Sequence, residues 1–396
     1  MNIVAKQLRS WFGGSHTNTP RRRTHLNVEQ LGERLLPSAN MLWDEGVLAG
    51  HGQAMAIDIN YNIDYAQDRP GQAASFVSTG ARGYEVVLGT DNYGKDEFWA
   101  LDMTGHVMHF NGSGWTETGS PQMSMILAGH GKVFASDGYG GLYQLNDGAS
   151  SSWHLIPGMQ VYGNVNRMSY IQSGANGAES LYVERASDLE VFDYNPTVGT
   201  FSDLHFSNIY DLTATYNGAI GADSDGQFVH YLTSTGGWAI YPTLVVNESA
   251  GLQMDASGDI FLLETNGDLQ EIRADSSYID WKIYFNDFHV GLTGNLIFGV
   301  QTGGGTNALI ELNTLTGNQY YMGSPYANSG FALKYSFSAG TGLDGGPELW
   351  DVTTNWFGDH LLNEFSNLQS YPYGNQYFVG YLYYNSWMHH PPIILL

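Results

Sequence analysis

The feature that most restricts the fold of this chain is internal repetition. Seven segments align as strand, tight turn, strand: Phe98–Asn111, Val133–Asn146, Leu181–Asn195, Ala219–Thr233, Ile260–Ala274, Ile297–Asn313 and Glu348–Phe365. Their starts lie 35, 48, 38, 41, 37 and 51 residues apart, a mean of about 42, which is the length of a four-stranded propeller blade. An alternating apolar run precedes each segment, as at Tyr84–Leu88, Ser124–Ala128 and Gly251–Asp255. A small or polar stretch and then an aromatic follow it. The aromatics are Trp115, Trp153, Trp238 and Trp281, with Phe201 and Tyr320 in the weaker copies. Each repeat therefore holds four short strands. The turns Thr104-Gly105, Asp225-Gly226 and Asn266-Gly267 supply the positive φ that short hairpins need. A single half-buried sheet leaves one face bare, and stacking sheets radially into a closed ring covers both. The expectation is an all-β propeller of about seven four-stranded blades. A six-bladed ring with an extra sheet is the alternative, because the seventh copy, with Asn355-Trp356-Phe357-Gly358 at its turn, is the poorest.

The rest of the composition agrees. The chain has 396 residues, 50 of them Gly and only 12 Pro, with 26 Tyr, 18 Phe and 10 Trp. No apolar run is long enough for a membrane-spanning helix. The absence of Cys excludes a disulfide framework, thiolate catalysis and Cys-ligated zinc. Charge is uneven. Residues 1–34 hold six basic and two acidic side chains, which leaves nine basic against 37 acidic in the remainder. A body this acidic repels phosphate backbones and anionic membrane surfaces.

The chain divides into a basic targeting segment (1–40), a lead-in segment (41–83) that could lend a ring-closing strand, the repeats (84–370), and a C-terminal strand with an apolar tail (371–396). In the first segment Arg21-Arg22-Arg23 precedes Leu26-Asn27-Val28-Glu29-Gln30-Leu31-Gly32-Glu33-Arg34-Leu35-Leu36-Pro37-Ser38. This stretch resembles the basic, LxVExLExRxLPS-like N-terminal motif of exported planctomycete-type proteins, with Gly32 where that motif has Glu. The resemblance implies export, to the cell envelope or beyond. Within the repeats, Phe98–Gly163 is similar to tectonin-type propeller repeats. It shows aromatic-Ala-x-Asp, a Gly turn, a strand, Gly-Trp and the next apolar strand. Two copies match well, residues 206–285 moderately, and the last third by period alone. The resemblance implies non-catalytic binding of bacterial surface glycans or lipopolysaccharide. The acidity departs from it, since lipid A phosphates call for Lys and Arg.

No constellation of catalytic type stands out, and neither a metal nor another cofactor is expected. Asp58 to Asp64 alternates with large apolar residues and reads as a strand rather than a calcium loop. Asp223-Ser224-Asp225-Gly226 reads as a hairpin turn. His106 and His109 are oddly spaced on one strand and so face opposite ways. His389-His390 lack a third ligand. Gly303-Gly304-Gly305 reads as a loop, and Arg69, Arg82, Arg167, Arg185 and Arg273 match no sialidase-type cluster. Trp115, Trp153, Trp238 and Trp281 are expected to be packing anchors between blades, because a residue repeated in a repeated fold serves the fold first. Tyr320, Tyr321, Tyr371 and Tyr373 are the ligand candidates, since Tyr combines stacking with hydrogen bonding at low entropy cost.

The expected function is therefore an exported, monomeric, non-enzymatic propeller that binds carbohydrate or another surface polymer, neutral in preference to anionic, and no nucleic acid. The alternatives are a propeller polysaccharide hydrolase or lyase, and a protein-binding adhesion or structural module.

Overall fold

The computed structural model describes residues 46–381, apart from 58–60, 68–76, 147–151, 159–164, 173–178, 216, 247–251, 256–257, 274–276, 292–294, 304–305, 324–335, 342–346, 355–359 and 367–374. All elements described here belong to one compact unit, residues 32–396. The basic segment and the apolar tail fall outside the described residues.

Every element among the described residues is a strand, and the strands form antiparallel meanders. Blade 1 holds β1 (Gly46–Ala49), β2 (Gln53–Ile57), β3 (Asn62–Gln67) and the first part of β4 (Val77–Thr90). Blade 2 holds the rest of β4 with β5 (Asp96–Asp102), β6 (Val107–Phe110) and β7 (Trp115–Glu117). Blade 3 is β8 (Met125–Ala128), β9 (Lys132–Ser136), β10 (Leu142–Asn146) and β11 (His154–Leu155). Blade 4 is β12 (Val165–Ile171), β13 (Ser180–Arg185), β14 (Glu190–Asn195) and β15 (Thr200–Ser207). Blade 5 is β16 (Tyr210–Thr215), β17 (Gly218–Ala222), β18 (Gln227–Leu232) and β19 (Gly237–Val245). Blade 6 is β20 (Leu252–Met254), β21 (Ile260–Leu263), β22 (Asp268–Ile272) and β23 (Tyr278–Tyr284). Blade 7 is β24 (Asp287–Val290), β25 (Leu296–Gly303), β26 (Thr306–Asn313) and β27 (Asn318–Gly323). Blade 8 is β28 (Ser336–Thr341), β29 (Pro347–Thr354), β30 (His360–Ser366) and β31 (Asn375–Tyr381).

The strand β4 serves two sheets. Tyr65 pairs with Val77 and Asn62 with Arg82, and from Gly83 onward the strand pairs with β5 instead. The seven-stranded sheet is thus two four-stranded ones, and with the six others the count is eight. All seven repeat segments read from the sequence are the central hairpins of blades 2 to 8. Residues 46–82 correct one expectation. They do not lend a strand for closure but build a blade of their own, with β2–β3 as its central hairpin. The C-terminal strand expected in 371–396 is β31, which completes blade 8.

The first strands of the blades neighbour one another in chain order, and β28 lies against β1, which closes the ring. Side chains reach from one inner strand to the next. Ala214 N donates to Ser169 Oγ at 2.6 Å, and Thr213 Oγ1 donates to Leu252 O at 3.3 Å. Gln253 receives Val290 N and donates to Phe288 O, both at 2.8 Å. Polar groups on these inner edges are thereby satisfied from blade to blade.

The apolar core lies between blades. On β4, Val86 and Leu88 pack toward blade 1 with Met55, Ile57 and Ile63, whereas Val87 packs toward blade 3 with Ile126 and Val133. That is the period of two at work. The outer edges are blunted. In blades 1, 4, 5, 6, 7 and 8 the outer pair carries a register shift whose extra residues sit on the outermost strand, which bends that edge away from another chain.

Candidate functional site

The turns that cap the strands explain much of the acidic side-chain chemistry. Asp91 Oδ1 receives the amides of Tyr93 and Lys95 at 2.7 and 2.9 Å. Asp102, Asp137 and Asp223 receive the amides two and four residues on in the same way. The Asp223 carboxylate is therefore engaged in its hairpin. Among the described residues no three His, Cys, Asp or Glu side chains converge to hold a metal ion. His106 sits in the turn before β6, within 2.8 Å of Thr104 Oγ1, while His109 stacks on Trp99 at 4.2 Å and approaches Glu97 at 3.3 Å.

Carboxyls with raised values stand on blades 2 and 7. Burial pushes Glu85 up to about 8, opposed by the Ile126 backbone, and pushes Glu311 up to about 7 and Asp287 to about 6. One pair stands together on blade 6. Asp268 is raised, by burial first and then by the charge of Asp280, while Asp280 is lowered, chiefly by its bond from Lys282.

The four tryptophans are half-buried. Trp115 Nε1 donates to Thr79 Oγ1 at 2.9 Å, Trp153 Nε1 to Thr118 Oγ1 at 3.1 Å, and Trp238 Nε1 to Leu204 O at 3.1 Å. Each acceptor lies on the outer strand of the preceding blade or just past its end. Trp281 Nε1 donates to Glu271 Oε2 at 2.9 Å within its own blade. Tyr320 is exposed on β27, with its hydroxyl 3.4 Å from Asn318 Nδ2. Tyr321, also on β27, pairs with Ile310 of β26. Tyr371 and Tyr373 lie outside the described residues.

The most distinctive constellation was missed from the sequence. The pentapeptide Leu48-Ala49-Gly50-His51-Gly52 recurs as Leu127-Ala128-Gly129-His130-Gly131. Both copies form the turn between the first and second strands, in blades 1 and 3. The packing accounts for most of the motif. Leu48, Ala49, Leu127 and Ala128 are core residues. A Cβ on Gly50 would fall 2.1 Å from Asp96 Oδ2, and one on Gly129 would fall 2.4 Å from the Tyr170 ring. Gly52 and Gly131 take φ of 62° and 58°, where a side chain is strained.

The two histidines grip the same intervening loop of blade 2. His51 Nδ1 lies 2.7 Å from Asp96 Oδ1, and its amide donates to Asp96 Oδ2. His130 Nδ1 lies 3.0 Å from Thr90 Oγ1. Thr90 and Asp96 are directly opposed across β4 and β5. The Asp96 side chain is 1% exposed and that of His51 42%. The bond to Asp96 holds the His51 imidazole above its ordinary value, against the opposing effect of burial. Between these anchors Tyr93 stands at the loop tip, 89% exposed. Tyr139 is equally exposed on the turn between β9 and β10, at the opposite end of the strands.

No family model matches the sequence, and no curated protein matches it. Solved structures do. The dihydro-heme d1 dehydrogenase NirN superposes with a TM-score of 0.54 at 10% identity, over 96% of this chain and 85% of that one. The Dos1 propeller gives 0.50 at 9% identity, over 82% and 94%. The fold is a β-propeller. PorZ, a surface component of the type-IX secretion system of Porphyromonas gingivalis, gives 0.49 at 12% identity over 82% of this chain. This propeller spans 44% of the length of PorZ.

Proposed function

We propose that the protein is an exported, non-catalytic propeller that binds a neutral glycan or another surface polymer. The observation that carries this reading is the presentation of Tyr93 and Tyr139. Each ring is 89% exposed on a turn fixed by an aspartate. A rigid, solvent-facing aromatic offers a flat surface to a sugar ring at little entropic cost. The net charge of −24 favours a neutral ligand over a polyanion. The tectonin-like pattern at 98–163 and the basic N-terminal motif at 21–38 support a surface role. A glycan array probed with the full chain tests the reading. Binding to neutral glycans is expected from the parent and is lost in the Tyr93→Ala/Tyr139→Ala double variant. An array left blank by the parent contradicts it.

A second reading, hydrolysis of polysaccharide, is favoured by the Asp268–Asp280 pair, whose environments push the two carboxyls apart as an acid and a base require. New reducing ends released by the parent and not by Asp268→Asn would establish it.

A further inference from the structure

We infer that the glycan site lies at the corner built by the two Gly-His-Gly turns around Tyr93, where a sugar stacks on the tyrosine and its hydroxyls bond the outward nitrogens of His51 and His130. This inference rests on the binding reading above and gives it a location.

Packing leaves one residue of each turn unexplained. The flanking Leu, Ala and Gly residues of both pentapeptides are dictated by core burial, close approach and positive φ. A histidine at the centre is not. Bonding Asp96 or Thr90 needs only the inner nitrogen, and a shorter amide side chain would supply one. Yet the imidazole recurs in both turns, on both sides of one loop.

Its second nitrogen is the part with no structural task. Nδ1 is occupied in both rings, and no described group bonds either Nε2. The rings are held in place by those Nδ1 bonds, and each is partly open to solvent. His51 is oriented by a buried carboxylate, itself approached by Gln53 Nε2 at 3.5 Å, while Gln53 receives the Tyr65 hydroxyl at 3.1 Å. An imidazole fixed at one nitrogen and exposed at the other is pre-organised for a ligand.

The three side chains belong to one corner. Thr90 and Asp96 are a cross-strand pair, so their Cα atoms are about 5 Å apart. The two rings are bonded to that pair, and Tyr93 is at the middle of the five-residue loop that joins it. The loop is stiff, with Asp91 N donating to Lys95 O at 2.8 Å and Gly94 N to Asp91 O at 3.0 Å.

The chemistry selects the ligand class. A sugar hydroxyl both donates and accepts, so it suits either form of an imidazole nitrogen. Lys95 and Lys132 are the nearby cations, and Lys132 is paired with Glu179. Against them stand Asp91, Asp96, Glu97 and Glu179. The corner is acidic on balance, which disfavours a phosphate.

The test uses the full chain and three neutral polysaccharides, a β-glucan, a mannan and a galactan, with phosphorylated lipopolysaccharide beside them. In the His51→Asn/His130→Asn variant the amide nitrogen replaces Nδ1 and Nε2 is gone. Its melting temperature should stay within about 2 °C of the parent, while affinity for the neutral ligand falls about tenfold or more. Tyr93→Ala should lose binding and Tyr139→Ala should keep it. Conversely, His51→Gln places an amide near the Nε2 position and should bind while melting earlier. Unchanged affinity in the double Asn variant overturns the location and leaves the binding reading standing. A parent that binds none of the three neutral polysaccharides overturns both. Preference for lipopolysaccharide that the Asn variant abolishes keeps the corner but overturns the neutral ligand.

Discussion

At the residue scale, Glu85 illustrates how far environment departs from composition. It is one acid among 39, yet it is fully buried on β4 with no well-aligned bond to either carboxylate oxygen. Burial raises its pKa from 4.5 to about 8, so at neutral pH the side chain is mainly a neutral acid. The folded state then holds a proton that the unfolded state has lost, and stability falls as pH rises from about 4.5 to 8. Glu85→Gln mimics the protonated form. It should raise stability at pH 8 by about 2–4 kcal/mol and change little at pH 4.5. Thermal denaturation at the two values checks this, and an equal effect at both would contradict it. Nothing in the sequence marks Glu85 apart from other acids, because burial is set by β8 of the next blade. The Gly-His-Gly turns differ, since two identical pentapeptides 79 residues apart are legible. They escape a comparison restricted to the central hairpins.

At the element scale, the outer strands show one device repeated. A residue with positive φ lies within or just past the outer strand: Gly80 at 72°, Gly119 at 66°, Gly158 at 107°, His205 at 53° and Lys282 at 56°. In three places the residue just before it, Thr79, Thr118 or Leu204, receives the indole of the next blade. Strand bend and inter-blade lock are thus one structure. His205 carries a side chain where glycine is favoured, and that side chain is 85% exposed. His205→Gly should therefore stabilise by about 1 kcal/mol, read from a denaturant midpoint. Trp153→Ala should cost about 3 kcal/mol, and Thr118→Ala about 1 kcal/mol. Trp153→Ala melting like the parent would remove the tryptophan from the lock. The aromatic positions were legible because they recur. The bulges were not, since their register depends on the partner strand.

At the scale of the whole molecule, the period indicates about seven blades and the described residues form eight. Blade 1 is harder to read because the sequence between β2 and β3, Asp58 to Tyr61, contains no glycine. Tyr61 takes φ of 64° there, so the glycine turn that marks most of the other central hairpins, though not that of blade 4, is absent. The ring also sets a global pH response. Glu85 and Glu311, raised to about 8 and about 7, both lose stability on deprotonation. His51, raised by Asp96, likewise loses its contribution as pH climbs through its folded value. His230 and His289, lowered to about 4, are neutral when folded and half-protonated near pH 6.5 when unfolded, so they oppose this only at the lower end of the window. The melting temperature should therefore fall between pH 6.5 and 8, and a flat or rising profile across that window would contradict the burial of these groups.

The central claim is that this acidic propeller binds neutral glycan without electrostatic help. The most direct measurement is a calorimetric titration of the full chain with the neutral polysaccharide it binds best, at low and at physiological salt, beside phosphorylated lipopolysaccharide and duplex DNA. Few counterions are released when a neutral ligand binds, so affinity should be nearly the same at both salt concentrations, with no binding of either polyanion. Tight binding of lipopolysaccharide or DNA that weakens steeply with salt would contradict the account.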